Sequence, residues 1–151
     1  MKTIKLIALL GLLFMVDKVN AQQKSEVDFA DSTGLPGDNF SLQAALATFK
    51  TSTSLEDFEK KLNSKDNEVN NIDLNGDGKI DYIRVVDYVK DNAHAIVLQV
   101  PVSKTESQDI AVIELEKDGD KSAFLQIIGD EDIYGESTTV EPVDNPEPAD
   151  N

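Results

Sequence analysis

Ile80-Asp-Tyr-Ile-Arg-Val-Val-Asp-Tyr-Val89 is where the chain changes its period. Before it, apolar residues recur at helical spacing; within it they alternate, and Val, Ile and Tyr become frequent, as strands require. Three more such runs follow, Ala93 to Val100, Ile110 to Glu116 and Ala123 to Ile128. Lys90-Asp-Asn92 and Lys117-Asp-Gly-Asp120 have tight-turn compositions, and Pro101 to Gln108 is a longer polar loop. Four strands joined in this way predict an antiparallel meander. Alternation puts Ile83 and Val85 on one face and Tyr82, Val86 and Tyr88 on the other, so both faces carry apolar side chains. The second face is either a partly open contact surface or one covered by a leader or tail segment.

Upstream, Leu42, Ala45, Leu46 and Phe49 follow a cap at Asp38 or Ser41. Ser54 precedes Leu55, Phe58 and Leu62, with Asp57 in an approximate capping-box position and Asn63 able to end the helix. Two helices this short do not stand alone. The expected fold is therefore α+β: two short N-terminal helices packed on a four-stranded antiparallel meander sheet, over residues 38–129, with Leu42, Leu46, Phe49, Phe58 and Leu62 between the layers.

The ends read differently. Lys2 and Lys5, the apolar run Leu6 to Val16 and the small residue closing Val19-Asn-Ala21 make residues 1–21 a secretory signal peptide. The run stops at Asp17 and Lys18, short of the roughly 20 apolar residues that span a bilayer. Residues 22–37 read as a flexible leader closed by the turn signal Gly34-Leu-Pro-Gly37. Residues 130–151 hold eight acidic residues, no basic ones, and Pro142, Pro146 and Pro148, which reads as a solvated, partly disordered tail. At its start, Ile133 and Tyr134 are apolar enough to dock on the domain.

The 151 residues carry 29 acidic and 14 basic side chains, a net charge of -15. Loss of residues 1–21 leaves 28 acidic against 11 basic residues, or -17. Such a surface is a poor partner for nucleic acid or an anionic membrane. With no cysteine there is no disulfide, thiolate metal site, cysteine nucleophile or lipid-bearing cysteine, hence no membrane anchor of that kind.

Asp73-Leu-Asn75-Gly-Asp77-Gly-Lys79-Ile-Asp81 is the one motif with chemistry. Side-chain oxygens at Asp73, Asn75, Asp77 and Asp81, the Lys79 carbonyl and a glycine at Gly78 give the wrapping that a hard cation with six to eight oxygen ligands needs. Ile80 is the apolar residue such loops turn inward, and three carboxylates within nine residues repel one another without a cation. The other reading is an Asn-Gly/Asp-Gly turn whose acids are merely solvated. The nine residues resemble the calcium loops of EF-hands, dockerins and integrin-type β-propellers. Arg84 stands where an EF-hand places its bidentate glutamate and the flank is strand-like, so the resemblance implies the loop-into-strand arrangement of the propeller loops; one copy implies no propeller. The expectation is a structural Ca2+ of modest affinity. Missing ligands would come from water or from Asp66, Glu68, Asp87 or Asp130 to Asp132.

Over residues 37–142 the order of parts resembles a group of small exported proteins of Bacteroidota with no assigned activity. The carrying residues are Asn70-Asn-Ile-Asp-Leu-Asn-Gly-Asp-Gly78, Asp81-Tyr-Ile-Arg-Val85, Val97-Leu-Gln-Val-Pro101 and Gly129-Asp-Glu-Asp-Ile-Tyr-Gly135. Asp31-Ser-Thr33 resembles a short O-glycosylation signal of that lineage.

His94, the only histidine, falls on the strand face of Ile96, Leu98 and Val100 and reads as a satisfied or edge histidine. Arg84, the sole arginine, reads either as a clamp for an anion or, beside Asp81 and Asp87, as a balance for local negative charge. No P-loop, G-x-S-x-G or H-E-x-x-H occurs, and no tryptophan offers a sugar platform. The expected product is a periplasmic or extracellular, non-catalytic, calcium-stabilised binding or adaptor module for an unknown protein or surface polymer of the envelope. The alternatives are an extracellular polymer hydrolase using carboxylates and a secreted acidic inhibitor or chaperone.

Overall fold

The computed structural model describes residues 32–120 and 122–142. The expected signal peptide, most of the expected leader and residues 143–151 of the expected tail lie outside the described residues.

A 3-10 turn, Pro36–Asn39, leads into helix α1, Leu42–Lys50, and helix α2, Leu55–Leu62. Both start where their caps place them. Ser41 accepts from the Ala44 amide at 3.1 Å and Ser54 from the Asp57 amide at 3.0 Å, supplying the partners that first-turn N–H groups lack. The Asp57 carboxylate reaches back to the Thr53 amide at 2.9 Å and forward to Lys61 at 2.8 Å. The helices bury Leu42, Ala45 and Leu46 from α1 and Phe58 and Leu62 from α2. Phe49 meets Phe58 edge to face, ring centroids 5.2 Å apart.

Strands β1 (Arg84–Lys90), β2 (Ala93–Pro101), β3 (Ser107–Asp118), β4 (Ser122–Gly129) and β5 (Thr138–Val140) form one antiparallel sheet in sequence order. Between β4 and β5 sits a single-turn helix α3, Glu131–Tyr134. The α+β class expected from the sequence is thereby corrected. The fold is mostly β, its sheet has five strands rather than four, and only two of its three helices exceed one turn. The fifth strand comes from residues read as tail. Asp130 caps α3 by accepting from the Asp132 amide, and Gly135, at φ 79°, stops it. The reversal lays Thr138–Val140 beside β4, with Val140 opposite Ile127. Three residues are too few to show a period, which is why no strand was legible there.

The core lies between one sheet face and the helices, α1 against β4 and α2 against β1. Ile83, Ile96, Leu98, Val100, Ile110, Ile113 and Ile127 are all buried on this side. The register of β2 against β3 slips between Leu98 and Gln99, where Ala111 and then Asp109 stand opposite. Ile110 is the extra residue of this bulge, and it is fully buried.

Tyr134 closes the far end. A Cβ on Gly37 would stand 2.4 Å from its ring and one on Gly129 2.5 Å, so the ring occupies space that only two glycines leave free. Its hydroxyl donates to the Phe40 carbonyl at 2.9 Å. Ile133 beside it is buried.

Candidate functional site

The loop 73–81 is fastened at its base. The Asp81 amide donates to the Ile72 carbonyl at 2.7 Å, and Ile72 is fully buried. Asn70, the one buried polar residue among those described, donates from Nδ2 to the Asp81 carbonyl at 2.8 Å and accepts the Ile72 amide at 3.1 Å. Its side chain bridges the two ends of the loop, and its burial is paid for by two hydrogen bonds. The inward apolar anchors are Ile72 and Leu74, which packs against the core. Ile80, expected to turn inward, is 58% exposed instead.

Within the loop the acidic side chains hold the backbone. Asp73 Oδ1 accepts the amides of Gly76 at 2.8 Å and Asp77 at 3.2 Å, and its Oδ2 accepts that of Gly78 at 2.8 Å. Asn75 Oδ1 accepts from Asp77, Asp77 Oδ1 from Lys79 at 2.8 Å, and Asp81 Oδ2 from Leu74 at 2.7 Å. Gly76 and Gly78, at φ 70° and 79°, supply the left-handed turns that wind these amides inward. Most of these are charge-assisted bonds from backbone to carboxylate, and they preorganise the loop.

The structure thus gathers Asp73, Asn75, Asp77, Lys79 and Asp81 into one short loop. Asp77 Oδ2 takes no hydrogen bond in the loop, and Asp81 Oδ1 has only the Asn75 amide at 3.5 Å. Carboxylates have about four acceptor positions each, so capacity for a cation is left over. As they stand, no three or more Asp, Glu, His or Cys side chains are gathered into a metal-holding group among the described residues. Asp87 and Asp130, considered as further donors, are committed elsewhere, to His94 and to the cap of α3. Asp66 and Glu68 are exposed on the preceding segment.

Three features escaped the sequence reading. Glu59 of α2 accepts the Tyr82 hydroxyl at 2.6 Å and the Val85 amide at 2.8 Å. Asn63 pairs with both backbone groups of Ile83, at 2.8 Å to the amide and 2.7 Å to the carbonyl. Together they act as a short surrogate strand along the outer edge of β1. His94 lies on the core face as alternation expects, but its Nδ1 sits 3.0 Å from Asp87 Oδ2. That pair follows from a two-residue turn, since Lys90 pairs with Ala93 and the turn is Asp91-Asn92, with Asp91 at φ 53°. Reading the turn as two residues rather than three would have found it.

The other sheet face carries a continuous apolar row. Val86, Val97, Val112 and Ile128 stand directly opposite one another across β1 to β4. Tyr88 and Phe124 flank it, 58% and 48% exposed. Among the described residues α1 and α2 lie on the opposite face; Val97 at the centre of the row is buried, and Val86, Val112 and Ile128 are half-buried.

The chain matches no model of a known protein family, no curated protein and no solved structure at a significant level. Among the described residues no helix is long and apolar enough to cross a membrane.

Proposed function

We propose that the chain is an exported, non-catalytic binding module in which Ca2+ at residues 73–81 stiffens the approach to β1 and the sheet face opposite α1 and α2 meets a protein or surface polymer of the envelope. The observation that carries the calcium half is the backbone of the loop. The side-chain oxygens of residues 73, 75, 77 and 81 accept amides of the same loop, wound around Gly76 and Gly78, with Asp77 Oδ2 and the Lys79 carbonyl left for an ion. The contact half rests on Val86, Val97, Val112 and Ile128 with two exposed aromatics beside them. Export rests on residues 1–21, and kinship with the exported proteins of Bacteroidota on the motifs quoted above.

Calcium titration tests the first half. At a dissociation constant near 1 mM, about 10 mM calcium adds roughly 1.4 kcal/mol and raises the melting temperature by about 5 °C. Asp77→Ala abolishes the rise, whatever it does to the apo protein. No shift in the parent protein at that concentration overturns the calcium assignment. For the second half, crosslinking in the native envelope captures partners through the open face, and Tyr88→Ala removes those crosslinks.

A further inference from the structure

The register of the open face places its charges unevenly. Arg84 and Lys90 of β1 stand at its two ends, and neither has an ion-pair partner among the described residues. The acids sit two strands away on β3: Asp109 opposite Gln99, Glu114 opposite Ala95 and Glu116 opposite Ala93. Gln99 in turn is opposite Arg84, Ala95 opposite Tyr88 and Ala93 opposite Lys90. Each rung of the ladder therefore pairs one residue of β1 with one of β3 across β2. The four rungs are Arg84 with Asp109, Val86 with Val112, Tyr88 with Glu114 and Lys90 with Glu116.

We infer that this face is self-complementary and that its partner is a second copy of the chain, related by a two-fold axis running along β2. That rotation lays β1 of each copy over β3 of the other and leaves every rung at its own level. Arg84 then meets Asp109 of the other copy, Lys90 meets Glu116, and the Tyr88 hydroxyl meets Glu114. In the middle Val86 faces Val112, and Val97 faces its own counterpart on the axis. The two cations of β1 each meet an acid of β3 and the central valines meet valines, as an isologous interface requires, while β4 with Ile128 and Phe124 extends past the other copy's β1. Face-to-face sheets cross at about 30°, and the long side chains at the outer rungs take up that rotation. This inference rests on reading the open face as a contact surface and is independent of calcium.

The test uses protein exported from the full 151-residue reading frame. Light scattering and sedimentation over a micromolar to millimolar series are expected to show a monomer giving way to a species of twice its mass. Lys90→Glu and Glu116→Lys each weaken the dimer about tenfold or more, and the double reversal restores it. Both residues are exposed, and unchanged melting temperatures show that the variants fold. A dimer indifferent to the two single reversals overturns the inference, as does a monomer throughout the series. A monomer whose envelope crosslinks vanish with Tyr88→Ala overturns the second copy alone and leaves the contact surface standing; a monomer without such crosslinks overturns both.

Discussion

Tyr134 reaches across 94 positions to donate a hydrogen bond to the Phe40 carbonyl. Tyr134→Phe keeps the ring and removes that bond, at an expected cost of about 1 kcal/mol, read as a lower urea midpoint with unchanged slope. Gly129→Ala drives a methyl against the same ring and is expected to cost about 1–3 kcal/mol. Burial also pushes the Tyr134 phenol well above its ordinary value of 10.0. The folded state then holds its proton where the unfolded chain has released it, so stability present below pH 10.0 falls as pH rises further. Tyr82, raised by Glu59 beside it, acts in the same direction. The expected result is a decline in melting temperature above pH 10 that Tyr134→Phe flattens more than Tyr82→Phe. At this scale the sequence was partly legible. Ile133 and Tyr134 stood out in an acidic segment, and the spacing from Asp73 to Asp81 marked the oxygen donors. Which amide each oxygen accepts, and that one ring needs two distant glycines, depend on where the fold brings the backbone. Ile80 pointing outward belongs here too, because burial at the loop is decided by Ile72 and Leu74.

Helices α1 and α2 begin at Ser41 and Ser54, as local capping chemistry foretold, and the hairpins turn where Asp, Asn and Gly cluster. Such signals lie within a few residues of one another. The edge of β1 is a different matter, because Glu59 and Asn63 look like ordinary polar helix positions until Ile83 and Val85 arrive beside them. Ahead of the ladder the same edge is held without a strand: the backbone of Ile83 bonds to Asn63 and that of Asp81 to Ile72 and Asn70. Asn63→Ala leaves the amide and carbonyl of the fully buried Ile83 without partners. We expect a loss of about 2–3 kcal/mol by urea unfolding, whereas Glu59→Gln, which can still accept from the Val85 amide, costs less. The shortest strand was the least legible, since β5 exists only because α3 turns the chain back to β4.

For the whole molecule, the acidic excess sets the long-range field. At -15 for the full chain, self-repulsion opposes compactness, and salt weakens it. Raising ionic strength from about 0.01 M to 0.15 M shortens the screening length from about 30 Å to 8 Å, so the melting temperature is expected to rise with sodium chloride. A fall would mean that local pairs such as Asp57 with Lys61 outweigh the net charge. The balance of fold class was misread at this scale because four of the strands run longer than the two main helices cover, and one strand was unseen.

The clasp at Tyr134 also sets an order of events. The 3-10 turn at Pro36–Asn39 and the start of α1 are made early in synthesis, but the ring they close on arrives nearly a hundred residues later. Loop closure over that length is among the last contacts to form. A chain growing or threading from its N-terminus therefore keeps its own first elements unlatched until residue 134 has emerged. The N-terminal elements are latched by a residue made long after them.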